Sequence, residues 1–121
     1  MSVINNVNIF AELAGLGEQE MIPLAMSTTT TVSAKHHSYI TQAVADTAEA
    51  VSLGGVTTAE LVIVKCISND VDFDCNYSAA FSADITVQEG EFAVFKPAGT
   101  LYLKNNDAAE TSTVEIWVWG T

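Results

Sequence analysis

The second half of the chain consists of short runs of β-branched and aromatic residues, with polar residues at many alternate positions and turn-forming clusters between the runs. Such side chains fit a pleated, half-buried surface, so residues 60–68, 71–78, 83–88, 91–96, 100–105 and 112–119 are predicted strands. Upstream, the Thr- and Val-rich stretch beginning at Thr28 predicts two more, over 29–36 and 39–45. The following ADTAEAVSL contains helix formers but is short, which leaves a helical turn, a loop and a brief strand open. The last strand has the clearest alternation: Val114, Ile116 and Val118 fall on one face and Glu115, Trp117 and Trp119 on the other. The branched trio predicts a core face. The two indoles then need a partner of their own, because together they form a large apolar surface. A neighbouring subunit is the first choice, cover from the same chain the second and a ligand platform the third.

The turns set the architecture. Glu89-Gly90-Glu91 reads as a hairpin turn, Pro97-Ala98-Gly99 makes the next, and residues 105–112 make a longer one. Short strands at this rhythm predict a sandwich, jelly roll or small barrel, since two sheet faces must bury each other. The expected fold is all-β, a jelly-roll-like antiparallel β-sandwich over residues 28–121 preceded by an N-terminal arm or edge element over 1–27. Its expected core is Leu61, Ile63, Val87, Phe92, Val94, Leu101, Leu103, Ile116 and Val118. In the leader, Val7, Phe10, Leu13 and Leu16 recur every third residue and fit a short helix ended by Gly15 and Gly17; alternatively VNIFAEL adds a strand to a neighbour. Phe10 and Leu13 therefore join Trp117 and Trp119 as candidate interface residues, with the arm lying over another subunit.

Composition narrows the partners. With 121 residues, 49% of them hydrophobic, the chain suits one compact domain. Fifteen acidic residues against four lysines and no arginine give a net charge of -11, which repels nucleic-acid phosphates and anionic membrane surfaces. Neither partner is expected. No segment has the length and apolarity of a membrane-spanning helix, and the opening residues lack the positive flank of a signal peptide, so synthesis in a cytoplasm is expected. Cys66 and Cys75 are too few for a disulfide scaffold. They sit on adjacent predicted strands and could face one another, but two small thiols, buried or half-buried, are the preferred expectation.

Candidate chemistry is sparse. Asp70, Asp72 and Asp74 alternate like calcium ligands, yet a calcium loop starting there needs Gly at its sixth position and Glu at its twelfth, where this chain has Cys75 and Phe81. The expected reading is a solvated strand face of these aspartates with Asn76, opposite Val71, Phe73, Cys75 and Tyr77. Adjacent His36 and His37 point to opposite faces of a strand and converge on a metal only with distant residues or around a symmetry axis. HExxH, P-loop, GxSxG and CxxC signatures are all missing from the sequence. Glu89 and Glu91 fit solvated turn positions better than a catalytic pair. No enzyme activity, catalytic residue, cofactor or resident metal is expected. A rival from another class is a cupin-like or carbohydrate-binding sandwich using Tyr39, Tyr77, Tyr102 or the tryptophans as a sugar platform, or His36 at a metal.

The threonine-rich opening strand, VSLGGVTTAELVIVKCISND, VQEGEFAVFKPAGTLYLKN and the closing VEIWVWG follow one another from Thr28 to Trp119. In that order they resemble the small β-sandwich virion structural proteins of tailed bacteriophages, over about three quarters of the chain. The resemblance implies a capsid decoration or cement protein, a head-tail connector or a tail-associated component. It implies a homotrimer that binds the major capsid or another virion protein and is assembled in the bacterial host cytoplasm.

Overall fold

The computed structural model describes residues 5–13, 20–28, 32–42, 47–107 and 109–121. The chain divides into two compact units, 1–32 and 33–121. In the first, β1 (Asn5–Leu13) pairs antiparallel with β2 (Glu20–Thr28) over the full length of both strands. The helical reading of the leader is thus overturned for Val7, Phe10 and Leu13; Leu16 lies outside the described residues. Spacing three cannot keep residues on one side of a strand, so Phe10 and Leu13 occupy opposite faces of the ribbon.

The second unit contains β3 (Ala34–Gln42), β4 (Glu49–Ala50), β5 (Ala59–Ser68), β6 (Val71–Asp74), β7 (Ile85–Val87), β8 (Phe92–Phe95), β9 (Tyr102–Asn105) and β10 (Ser112–Gly120). They form two four-stranded antiparallel sheets, ordered β3-β10-β5-β8 and β4-β9-β6-β7, which pack together as a sandwich. The pairing is nested: first with last, second with next to last, β5 with β8 and β6 with β7. Val62, Val64, Ile116 and Val118 from one sheet meet Val71, Phe73, Val87 and Leu103 from the other in the core. Each is at most 2% exposed, so apolar burial holds the layers together.

Several sequence expectations change. The segment read as strands 29–36 and 39–45 holds a single strand, Ala34–Gln42, because His37 and Ser38 continue the alternation instead of breaking it; residues 29–31 and 43–46 lie outside the described ones. ADTAEAVSL supplies the brief strand β4. The Glu89-Gly90-Glu91 turn is not a hairpin, since β7 belongs to one sheet and β8 to the other. Gly90 still has φ +83°, and the Glu91 N–H donates to Gln88 O at 2.9 Å, the geometry of a tight turn that suits glycine. Its neighbours then join β5: Gly90 N–H donates to Cys66 O and Cys66 N–H to Glu91 O.

Cys66 and Cys75 are free thiols that follow the same logic, since β5 and β6 lie in different sheets. Burial, reinforced by Asp70 and Glu89, pushes the Cys66 thiol up to about 11. The expected strand 71–78 ends at Asp74, so Cys75 and Tyr77 are loop residues. Asp74 is only 3% exposed, contrary to the solvated reading, because it accepts the backbone N–H groups of Asn76 and Ser82 and shapes that loop. At the far end, Gly120 lies against Thr58, whose carbonyl oxygen would be 1.9 Å from any added Cβ. Only glycine permits the backbone approach by which Thr121 and Thr58 exchange hydrogen bonds.

Candidate interaction face

Four of the nine expected core residues, Leu61, Ile63, Phe92 and Val94, lie outside the core cluster. The register gives the reason. Ile63 stands opposite Trp117 and Val94, and Lys65 opposite Glu115 and Phe92, so all of these share the outward parity of the tryptophans. Leu61, opposite Trp119, is buried at 6% yet belongs to this same outer side. Trp117 and Trp119 are half-buried, Phe92 is 73% exposed and Tyr39 63% exposed. The outer face of β3-β10-β5-β8 is therefore a contiguous aromatic and aliphatic surface.

Polar groups fix its geometry. The His37 ring stacks on Trp117 with centroids 5.0 Å apart and planes inclined by 5°. The His37 Nε2–H donates to Glu115 Oε1 at 2.8 Å, clamping the imidazole over the indole from a second direction. Tyr39 lies 5.7 Å from the His37 ring. The Glu115 carboxylate, as hydrogen-bond partner and nearby negative charge, raises the Tyr39 hydroxyl above its ordinary range. Two of the four lysines, Lys35 and Lys65, are exposed on β3 and β5 opposite Trp119 and Glu115. Of the four expected interface residues, the fold brings Trp117 and Trp119 together. Phe10 and Leu13 belong to the other unit, where their side chains lie outside the described residues.

The opposite sheet presents a different outer surface. Asp72 accepts Thr86 Oγ1–H at 2.6 Å and Asn106 Nδ2–H at 3.2 Å, while Lys104 Nζ lies 5.8 Å from the Phe81 ring centroid. Asp70, Asp72 and Asp74 have separate partners: Asp70 accepts Glu89 N–H, tying the β5–β6 turn to the β7–β8 turn. Among the described residues, no group of three or more His, Cys, Asp or Glu side chains could hold a metal ion.

A cleft of about 460 Å³ opens beside Val51, Leu53, Thr58, Lys96, Pro97 and Leu101. Tyr39, Tyr77, Tyr102 and His36 are not among the described residues that line it. Tyr77 and Tyr102 instead stack on each other, their centroids 3.6 Å apart. His36 stands opposite Val118 and shares its inward parity, facing away from His37 as alternation requires.

Sequence reasoning found the tryptophans and missed Ile63, Phe92 and Val94 as their companions. β5 and β8 are apolar at consecutive positions, so only pairing with the strongly alternating β10 reveals which residues face outward. No protein-family model, curated protein or solved structure matches the chain.

Proposed function

We propose that residues 33–121 form a jelly roll acting as a non-enzymatic structural protein, and that the protein is a bacteriophage capsid decoration or cement protein working as a homotrimer. Nested pairing across two four-stranded sheets supports the jelly roll, since a long antiparallel ribbon wrapped on itself has this connectivity. The sequence resemblance to small virion proteins supports the station on a phage particle. In this reading the chain assembles in the bacterial host cytoplasm and binds the major capsid or another virion protein. A connector or tail-associated role would use the same surfaces.

The outer face of β3-β10-β5-β8 carries the proposal. Trp117 and Trp119, with Ile63, Val94 and Phe92, form an apolar patch of the composition found at the centre of protein interfaces, while the acidic remainder disfavours indiscriminate contacts. Many copies on a shell would make modest single contacts sufficient.

Both tryptophans of the chain lie on this face, so intrinsic emission reports its cover directly. On dilution, the emission maximum is expected to move to longer wavelength as subunits separate, with far-ultraviolet circular dichroism unchanged. An emission maximum constant across a thousandfold dilution, in protein whose mass falls over that range, would remove the tryptophans from the subunit contact.

A further inference from the structure

Two loops cross from one sheet of the sandwich to the other and meet at one end of it. Residues 51–58 run from β4 into β5 and residues 96–101 from β8 into β9, and in each case the strands joined belong to different sheets. The cleft of about 460 Å³ lies between these loops, a volume within the roughly 300–1,000 Å³ usual for small-molecule sites. Its floor is the core itself: Val51, Ala59 and Leu101 line it and also belong to the buried cluster. Leu53, Pro97 and Ala98 extend the aliphatic lining, and the described lining residues include no aromatic ring on which a sugar could stack.

The walls are preformed. Val51 N–H donates to Leu101 O and Tyr77 N–H to Thr100 O, both at 2.9 Å, while the N–H groups of Thr57 and Thr58 donate to Thr121 O at 2.6 and 3.0 Å. With these main-chain groups engaged inside the protein, a ligand meets aliphatic surface, threonine hydroxyls and one charge. That charge is Lys96. An ammonium has three donors, and Glu60 Oε2 takes one of them at 2.6 Å. The Lys96 side chain stays 61% exposed, whereas that of Glu60, which is not part of the lining, is 15% exposed.

We propose that this cleft binds a small aliphatic carboxylate, its hydrocarbon chain against Val51, Ala59 and Leu101 and its carboxylate on the Lys96 ammonium. The two halves of the ligand match the two halves of the site. Hydrocarbon gains by leaving water for the aliphatic floor, and the carboxylate accepts a charge-assisted hydrogen bond at the mouth. Glu60 competes with the ligand for the same ammonium and so limits the strength of binding. The lining includes none of the residues of the Trp117–Trp119 face, so occupancy of the cleft does not depend on the subunit contact.

The test titrates full-length, nitrogen-15-labelled protein with hexanoate, octanoate and octanol and follows the amide shifts. Octanoate is expected to shift residues 51–59 and 96–101 saturably, one molecule per chain, and to bind about tenfold more tightly than hexanoate, since each buried methylene is worth roughly a factor of three to four. Octanol is expected to bind the same residues at least tenfold more weakly than octanoate. Glu60→Gln, which frees the ammonium, is expected to tighten octanoate at least threefold and leave octanol unchanged. The double variant Glu60→Gln with Lys96→Met, which leaves no carboxylate without its partner, is expected to erase the preference for octanoate; the shifts of β3 and β10 report that each variant is folded. Shifts that stay linear to tens of millimolar, or that centre on the Trp117–Trp119 face, would overturn the site. Equal affinity for octanoate and octanol in the unsubstituted chain, or an octanoate preference that survives in the double variant, would overturn the carboxylate assignment.

Discussion

Replacing Trp117 and Trp119 together by serine is expected to abolish self-association at micromolar concentration while leaving a cooperatively folding chain. An indole at the centre of a protein contact commonly contributes about 2 kcal/mol or more, a factor of roughly thirty in the dissociation constant for each. The monomer loses less. Both side chains point away from the core formed by Val114, Ile116 and Val118, and Trp117 forfeits its stack on His37, worth about 0.5–1.5 kcal/mol. A loss of about 1 kcal/mol lowers the midpoint of a domain this size by a few degrees. Light scattering and thermal denaturation of the same samples separate the two effects. Destabilisation of the monomer as large as the loss of association would contradict the assignment of these residues to an interface.

Phe73→Ala is expected to have the opposite signature. Phe73 is fully buried, the largest of the completely covered side chains, and its ring meets that of Phe95 at 6.1 Å. It is anchored on β6, a four-residue strand placed between β9 and β7, so the surroundings have little freedom to collapse into the vacated space. Truncating a buried phenylalanine costs about 3–5 kcal/mol, a large part of the roughly 5–15 kcal/mol that separates folded from unfolded domains. In urea the midpoint should fall sharply with the slope unchanged. Phe92→Ala provides the contrast: Phe92 is 73% exposed, and its truncation should shift monomer stability by about 0.5 kcal/mol or less. Equal destabilisation by the two would contradict the division between core and outer face.

That division also shows what was legible in the sequence. β10 reads correctly because its alternation is strict: the trio at 114, 116 and 118 is at most 1% exposed and the tryptophans are not buried with it. In β5, Leu61, Val62, Ile63 and Val64 are all apolar, so hydrophobicity carries no information on which of them point inward. β8 has the same ambiguity. Register settles it, and register is non-local: His37 reaches Glu115 across 78 residues of sequence. The nested pairing is likewise invisible in local pattern, which explains why a turn as hairpin-like as Glu89-Gly90-Glu91 joins strands of different sheets. Asp74 escaped because its role is to hold two backbone N–H groups of the following loop, a contact fixed by chain path and not by alternation. The strand pairing of the leader was hidden for a related reason: a period of three suggested a helix, while the register emerges only when β2 is set against β1.

The most direct test of the central proposal is the absolute mass of the unmodified protein in solution, measured by light scattering from nanomolar to high micromolar concentration. A plateau at three times the 12.9 kDa chain, dissociating on dilution, is the result the proposal predicts. A mass of one chain throughout that range would contradict the homotrimer and leave the aromatic sheet face without its proposed partner.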